Sequence, residues 1–491
     1  MNIKSMTRAA VFIVVIVLIL YMINTILMPK YYLSNTYWPT TSSYRAFYEM
    51  EKNSIDVLFL GSSYCVNSFS PMEIYNQYGI RSFNLGAEQQ SIFLSYYWLK
   101  EALRFQSPSV VILEDYFLKS INPKEPINMN EGLIRKCLDP MRWSNVKLEA
   151  VKELCLLDQR QNIKSWIFTN IRFHNRWKEL GETYFTIDSN IVYSQLMGWA
   201  PGTDGYREFE PFTFLGEVQP YQLEPLMVEY FKKMVDLCEE NGIQMILVGV
   251  PSNTADARLS CSLSKIANEN SIDYIEMSEK TTWAKIGYRS PIENPVGHGN
   301  IWGNIKTSQY IGRLLRDKYN VSAVTDTQYE RKKKNYEHVK NSYRLKETQN
   351  IDEYLTYLKD DDFYVFIAVS GDIVNGLRET TKKKLKELGL EHEWNKETDY
   401  QNSYIAIKND EGVFEESGGW LDLSGNFRKK RDNYAIVSFG QEDGARASIT
   451  INEKEYSKYK KGMHIVVYDT IKCKVIDYVI FDIAANSKMY R

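Results

Sequence analysis

The chain has 491 residues, with 60 Lys+Arg against 62 Asp+Glu, a formal net charge of −2, 44% hydrophobic residues and 13% aromatic residues. That length accommodates about two to four domains able to bury their own cores, and the apolar content excludes intrinsic disorder. Near-neutral charge removes the electrostatic basis for binding nucleic acid, so no such partner is expected.

Residues 9–29 (AAVFIVVIVLILYMINTILMP) contain no charge. As a helix rising about 1.5 Å per residue, this run spans the roughly 30 Å of a bilayer core. A cleavable signal peptide has a shorter apolar run closed by small residues, whereas this one closes on Ile26, Leu27, Met28 and Pro29. Residues 1–30 are therefore expected to form a cytoplasmic tip and an uncleaved transmembrane signal anchor. Lys4 and Arg8 precede the run and no acid occurs before Lys30, which predicts a single-pass protein of the cell membrane with a cytoplasmic N-terminus and extracytoplasmic C-terminal domains. Cys65, Cys137, Cys155, Cys238, Cys261 and Cys473 form no C-x-x-C and no metal-ligand spacing. They are expected to be unpaired, and no metal site is expected.

Strand-like apolar runs follow at 55–60, 81–85, 110–113, 245–250 and 273–277, with helical patterns at 91–105, 223–240 and 303–317. Alternating strands and helices predict an α/β domain over 31–320 with a mainly parallel sheet covered on both faces. Within it, residues from about 123 to 220 are irregular and rich in Trp, Tyr and Arg, an expected insertion that shapes a substrate cleft. Residues 321–346 carry Arg331, Lys332, Lys333 and Lys334 with little apolar periodicity and are expected to be a charged linker. Beyond it, strands at 363–369, 403–407, 434–439, 447–451, 464–468 and 475–481 with a helix at 373–387 predict a separate α+β domain over 347–491.

The run 55–63 delivers Gly61, Ser62 and Ser63 at the carboxyl end of a buried strand, where open α/β sheets bind their ligands. Ser63 is a nucleophile candidate, the competing reading being a helix cap. More than 200 residues on, His298 precedes a helix and is placed to act as the base that a serine hydroxyl needs near neutral pH. Gly297, Gly299 and Gly303 do not follow a strand and do not match a dinucleotide fingerprint, so no cofactor is expected.

Gly61-Ser62-Ser63, then Asn84-Leu85-Gly86, then His298-x-Asn300-x-x-Gly303 resemble blocks I, II and V of the SGNH (GDSL-like) hydrolase superfamily. The resemblance covers about residues 50–320. It is closest to a membrane-anchored cell-envelope branch that includes alginate O-acetylation proteins and the teichoic acid D-alanyl-transfer protein. It implies a three-layer α/β/α fold in which Ser63 is the nucleophile and His298 its base. The implied oxyanion hole is the backbone N–H groups of Ser63 and Gly86 with the Gln90 amide as a further donor, and Ser62, Asn84 and Asn300 lend support. Two departures stand out. The family's Asp three residues before the His is Pro295 here, leaving Glu293 as the nearest acid, and the block III Asn motif is not recognisable.

Residues 364–372, 385–390, 462–469 and 480–482 resemble the interleukin-like EMT inducer (ILEI/PANDER) domain, a module that includes carbohydrate-binding stem domains. Its Asp372, Asp469 and Asp482 are read as turn and cap carboxylates. Together the resemblances imply a membrane-anchored acyltransferase that O-acetylates a cell-surface polysaccharide through a Ser63 acyl-enzyme, with a membrane-embedded acyl donor protein as partner. The alternatives are a carbohydrate esterase using the same Ser/His site, and a non-catalytic glycan-binding assembly protein in which Pro295 marks a lost triad.

Overall fold

A computed structural model describes residues 3–28, 39–119, 127, 130–178, 180–181, 196–214, 221–252, 255–371, 374–400, 402–427, 432–440, 444–456, 460–482 and 488–491. Asp372 and much of the expected insertion lie outside the described residues. The chain divides into two compact units, Met1–Lys333 and Lys334–Arg491.

The first unit opens with a helix, Ile3–Leu27, that is long and apolar enough to be a membrane anchor or a signal sequence. Its apolar side chains are exposed along nearly the whole length. The core of the unit is a parallel sheet of five strands, β1 (Val57–Leu60), β2 (Ser82–Asn84), β3 (Val110–Glu114), β4 (Gln244–Gly249) and β5 (Asp273–Glu276), in the order β2-β1-β3-β4-β5. Phe59 pairs with Asn84 on one side and Ile112 on the other. Every residue of β1, β2 and β3 is buried, as the near-continuous apolar runs of a parallel sheet require. Val57, Phe59, Val110, Ile112, Ile246 and Val248 form one core with Ile74 of the helix Pro71–Tyr78 and Ile311 and Leu315 of the helix Ile301–Asp317. The strand order reverses between β1 and β3, so the crevice at their carboxyl ends is where such a sheet offers a site.

The second unit holds two antiparallel sheets. One, in the order β15-β14-β13-β6-β7-β8, is built from β6 (Phe363–Ser370), β7 (Ser403–Asn409), β8 (Gly412–Gly418), β13 (Gly462–Asp469), β14 (Lys474–Asp482) and β15 (Lys488–Tyr490). The other, in the order β12-β11-β10-β9, comprises β9 (Trp420–Asn426), β10 (Asn433–Phe439), β11 (Ala447–Ile451) and β12 (Lys454–Glu455). Successive side chains of β6 point to opposite faces, so the strand feeds two cores. Val365, Ile367 and Val369 meet Tyr354 and Leu385 of the helices Ile351–Tyr357 and Glu379–Glu387, while Phe366 and Ala368 meet Ile436 and Ile449 of the second sheet.

Two expectations change. The charged stretch is not a solvated linker: residues Thr327–Glu347 form one helix, and the boundary between the units falls inside it. Tyr329, Tyr336, His338, Val339 and Leu345 are buried at helical spacing, a stripe that the Lys and Arg residues between them disguise. The expected helix at 373–387 begins only at Glu379, because Val374–Gly376 form a separate 3-10 turn and Arg378 is extended.

Candidate active site

Gly61 turns the chain out of β1 at φ +152, and a Cβ there would lie 2.7 Å from Glu114 Cβ. Only glycine fits. The helix Ser63–Ser68 starts directly after, capped by Ser62, whose Oγ accepts from the Tyr64 N–H at 3.2 Å. Ser63 thus occupies the first turn of a short helix at the carboxyl edge of the sheet, half-buried.

Ser63 Oγ lies 2.9 Å from His298 Nε2. With the imidazole proton on Nδ1, Nε2 accepts from the serine hydroxyl, the arrangement that activates a serine for attack on an acyl carbon. The Tyr64 ring stacks on the imidazole at 5.2 Å between centroids and 14° between planes, fixing the plane of the base.

The loop carrying His298 is pinned at both ends. The Asn300 N–H donates to Asn294 O at 2.7 Å, Asn300 Oδ1 accepts from Gly303 and Asn294, and Asn300 Nδ2 donates to Ile292 O at 2.8 Å. Asn300 is thereby the cap of the helix that follows. A Cβ on Gly303 would lie 2.2 Å from Asn294 O, so this glycine serves close backbone approach. Asn84 plays the matching part on the serine side. Its Nδ2 donates to Cys65 O at 2.8 Å and Phe69 O at 2.9 Å, tying the end of β2 to the helix of Ser63.

Three expected site residues stand elsewhere. The Gln90 amide is fully buried, accepting from Tyr44 OH at 2.5 Å and donating to Ser95 Oγ at 3.1 Å, so it is committed to the interior rather than to an oxyanion. The Gly86 N–H donates to Asn84 Oδ1 at 3.0 Å and is engaged inside its own turn. Glu293 accepts from Arg289 at its backbone N–H, Nε and Nη2, at 2.8, 2.8 and 2.6 Å. Among the described residues no carboxylate hydrogen-bonds His298, and Glu293 serves Arg289 instead. The Ser63 backbone N–H donates to no other described residue and remains available to an oxyanion.

Several neighbours escaped the sequence reading. Glu114, at the end of β3, accepts from both the N–H and the hydroxyl of Ser62. Burial raises its carboxyl above the usual range, while hydrogen bonds from Ser62 and Tyr116 and the charge of Lys119 work the other way. Beside it, Lys119 Nζ sits 3.1 Å from both Asp115 Oδ2 and Glu276 Oε2, and the Tyr274 hydroxyl lies 2.7 Å from Glu276 Oε2 and 2.9 Å from Asp115 Oδ2. Burial pushes Asp115 up to about 8, aided by Glu276 and Glu114 against the pull of Lys119. Glu88 is raised by burial and lies within electrostatic range of His298.

The strap 196–207 also went unseen. It touches both halves of the pair: Trp199 Nε1 donates to Asn67 O at 2.6 Å on the serine side, and the Asp204 N–H donates to Gly299 O at 2.9 Å on the histidine side. A Cβ on Gly202 would lie 2.1 Å from His298 O.

One grouping with metal-ligand chemistry stands out among the described residues, His338, Asp360 and Asp362 in the second unit, whose ligand atoms lie within 4.8 Å of one another. Lys334 Nζ lies 3.3 Å from Asp362, and His338 lies 3.1 Å from Asp360 and 3.2 Å from Asp469. These cations already compensate the carboxylates.

No family model matches the chain and no curated protein matches it. Among solved structures, a gut microbial diltiazem-metabolizing enzyme is similar at 11% identity and a TM-score of 0.16, over 81% of this chain and 58% of that one. The chain spans less than two thirds of that protein's length, and a likeness at this score says nothing about fold or activity.

Proposed function

We infer that the first unit is an SGNH-type serine acyltransferase of the cell envelope, held at the membrane by its N-terminal helix with both units on the extracytoplasmic side. It moves an acyl group, expected to be acetyl, through a Ser63 ester onto a cell-surface polysaccharide. A membrane-embedded protein supplies the acyl group, and the second unit, read as ILEI-like, holds the glycan. The observation that carries the reading is the 2.9 Å contact between Ser63 Oγ and His298 Nε2 at the carboxyl edge of a β2-β1-β3-β4-β5 parallel sheet. The exposed Ile3–Leu27 helix supports the anchor, and the blocks around Ser63, Asn84 and His298 support the family.

Catalysis would run on a Ser–His pair whose imidazole is oriented by Tyr64 stacking and a clamped loop rather than by an acid. An acid-deficient site is slow, since loss of the orienting Asp costs about 10⁴ in a serine protease. The test uses the full chain in detergent with an activated acetyl ester, with and without an acceptor oligosaccharide, comparing wild type with Ser63→Ala. Acetylated sugar formed by wild type alone is the expected result. Release of free acetate with no acetylated sugar identifies an esterase. Equal rates for both proteins, with glycan still bound, overturn catalysis and leave a glycan-binding assembly factor.

A further inference from the structure

The helix Ile3–Leu27 leaves the protein bare along its length, with large apolar side chains from Met6 to Ile23 between 39% and 68% exposed. Its carboxyl end behaves differently. Leu27 is buried, and the last turns meet the segment 163–178: Thr169 Oγ1 donates to Asn24 Oδ1, and Arg176 Nη1 donates to Leu27 O at 3.1 Å. This segment is therefore fixed at the point where the apolar helix reaches the folded unit.

The segment contains the short helices Ile163–Ile167 and Asn170–Phe173 and the 3-10 turn His174–Lys178. Trp166, Thr169 and Phe173 face inward, and the Arg135 guanidinium lies 4.0 Å from the Trp166 ring and 5.1 Å from the Phe173 ring. The outward positions are apolar as well. Ile167, Phe168, Ile171 and Trp177 are 45%, 63%, 53% and 64% exposed. Around them stand Lys164, Arg176 and Lys178, while Arg172 is paired with Glu131 at 2.8 Å; no acid lies between Ile163 and Lys178, and Glu179 follows. Lys178 Nζ lies 5.5 Å from the Trp177 ring centre. An exposed apolar ridge ringed by cations, with a tryptophan at its edge, matches the headgroup region of a bilayer, where aromatic rings partition and cations meet lipid phosphates.

We propose that residues 163–178 form a second membrane contact, lying in the lipid–water interface beside the point where the Ile3–Leu27 helix leaves the bilayer. Ile167, Phe168, Ile171 and Trp177 enter the boundary of the acyl chains, and Lys164 and Lys178 reach the phosphates. Two contacts in place of one fix the orientation of the first unit and hold the Ser63 module close to the bilayer. The inference rests on the reading of Ile3–Leu27 as membrane-inserted.

The test reconstitutes the full chain into vesicles of phosphatidylcholine and phosphatidylglycerol, with the phosphatidylcholine replaced by its chain-brominated form. Tryptophan emission is compared between wild type and Trp177→Phe, and resistance to alkaline extraction is read on the same vesicles. The expected result is that the Trp177 component is quenched by about twofold or more, as for an interfacial tryptophan. Phe168→Asp with Ile171→Asp, both at exposed positions and so compatible with folding, should abolish that quenching while the protein still resists extraction. Resistance to extraction with Trp177 unquenched overturns this proposal alone. Extraction together with unquenched Trp177 overturns the membrane anchor as well.

Discussion

The Glu114 carboxylate holds Ser62 twice through one oxygen, accepting from its backbone N–H at 2.9 Å and its hydroxyl at 2.7 Å. Its other oxygen accepts from the Tyr116 N–H at 2.8 Å. Glu114 therefore couples the end of β3 to the residue that precedes the candidate nucleophile. Glu114→Ala would orphan buried donors at about 1–3 kcal/mol each, and would let the Ser62–Ser63 turn drift from His298. Denaturant unfolding should show the loss, and acetyl-ester turnover should fall with Ser63 and His298 intact. Glu114→Gln, which keeps an acceptor for Ser62, should lie between. Wild-type turnover in Glu114→Ala would refute the positioning role.

The strap gives a second prediction. Gly202 has no room for a methyl group, since its Cβ would sit 2.1 Å from His298 O and 2.5 Å from Gly299 O, both backbone atoms. Gly202→Ala must displace either the strap or the histidine loop, an overpacking change that costs about 1–3 kcal/mol. Turnover should fall more than stability suggests, because the displaced group is the candidate base. Gly205→Ala, a few residues along the same strap with nothing within 4 Å, is the control and should be silent in both assays.

Much of the first unit was legible in its apolar runs. The expected strands at 55–60, 81–85, 110–113, 245–250 and 273–277 correspond to β1–β5 within one or two residues at each end, because buried parallel strands are written as continuous apolar stretches. Ser63 and His298 could be picked out because each sits where an element begins or ends. What escaped was determined by tertiary contact alone. Glu114 and Lys119 read as ordinary surface charges until burial is known. The strap 196–207 has no periodicity, only glycines whose need for space depends on Asn84 and His298. β8 was missed because its residues are largely exposed, and β9 because its alternation rests on only two apolar residues, Leu421 and Leu423, set between exposed Trp420, Asp422 and Ser424.

The buried cluster beside the site provides a third test. Lys119 is the cation between Asp115 and Glu276, and all three side chains are at most 4% exposed. With Asp115 raised to about 8 and so mostly neutral near pH 7, Lys119→Met strips the cation from ionised Glu276, and breaking a buried pair from one side costs about 3–5 kcal/mol. Replacing the set together, with Lys119→Met, Asp115→Asn and Glu276→Gln, removes the uncompensated charge and should recover most of that loss. If the single and triple variants unfold at the same denaturant concentration, the cluster is not electrostatically coupled.

The last prediction concerns pH and the second unit. His338 is fully buried in the helix Thr327–Glu347, 3.1 Å from Asp360 and 3.2 Å from Asp469, while Asp469 Oδ1 also caps the turn at Ile471 and Lys472. Burial opposes the imidazolium, but hydrogen bonds and charge from the two carboxylates outweigh it and push the His338 pKa up to about 9. For a base raised in the folded state, the stabilisation is complete below the unfolded value of about 6.5 and disappears as pH climbs through about 9. Burial likewise opposes ionised Asp469, yet His338 and Lys472 bring its pKa down to about 2, so its contribution is present above the ordinary aspartate range and is lost as pH falls through about 2. The stabilisation from this pair should therefore be greatest from about pH 5 to pH 6.5 and weaken toward pH 9. Amide exchange in β6 and β13, corrected for its intrinsic pH dependence, measures this locally without requiring the two units to unfold together. Protection there should decline between pH 7 and pH 9.5 in wild type. In His338→Phe it should be lower at pH 6 and flatter across that range, because Asp360 and Asp469 then lack the imidazolium at every pH, with Lys472 still beside Asp469. An unchanged alkaline decline in the variant would mean that another group carries the transition.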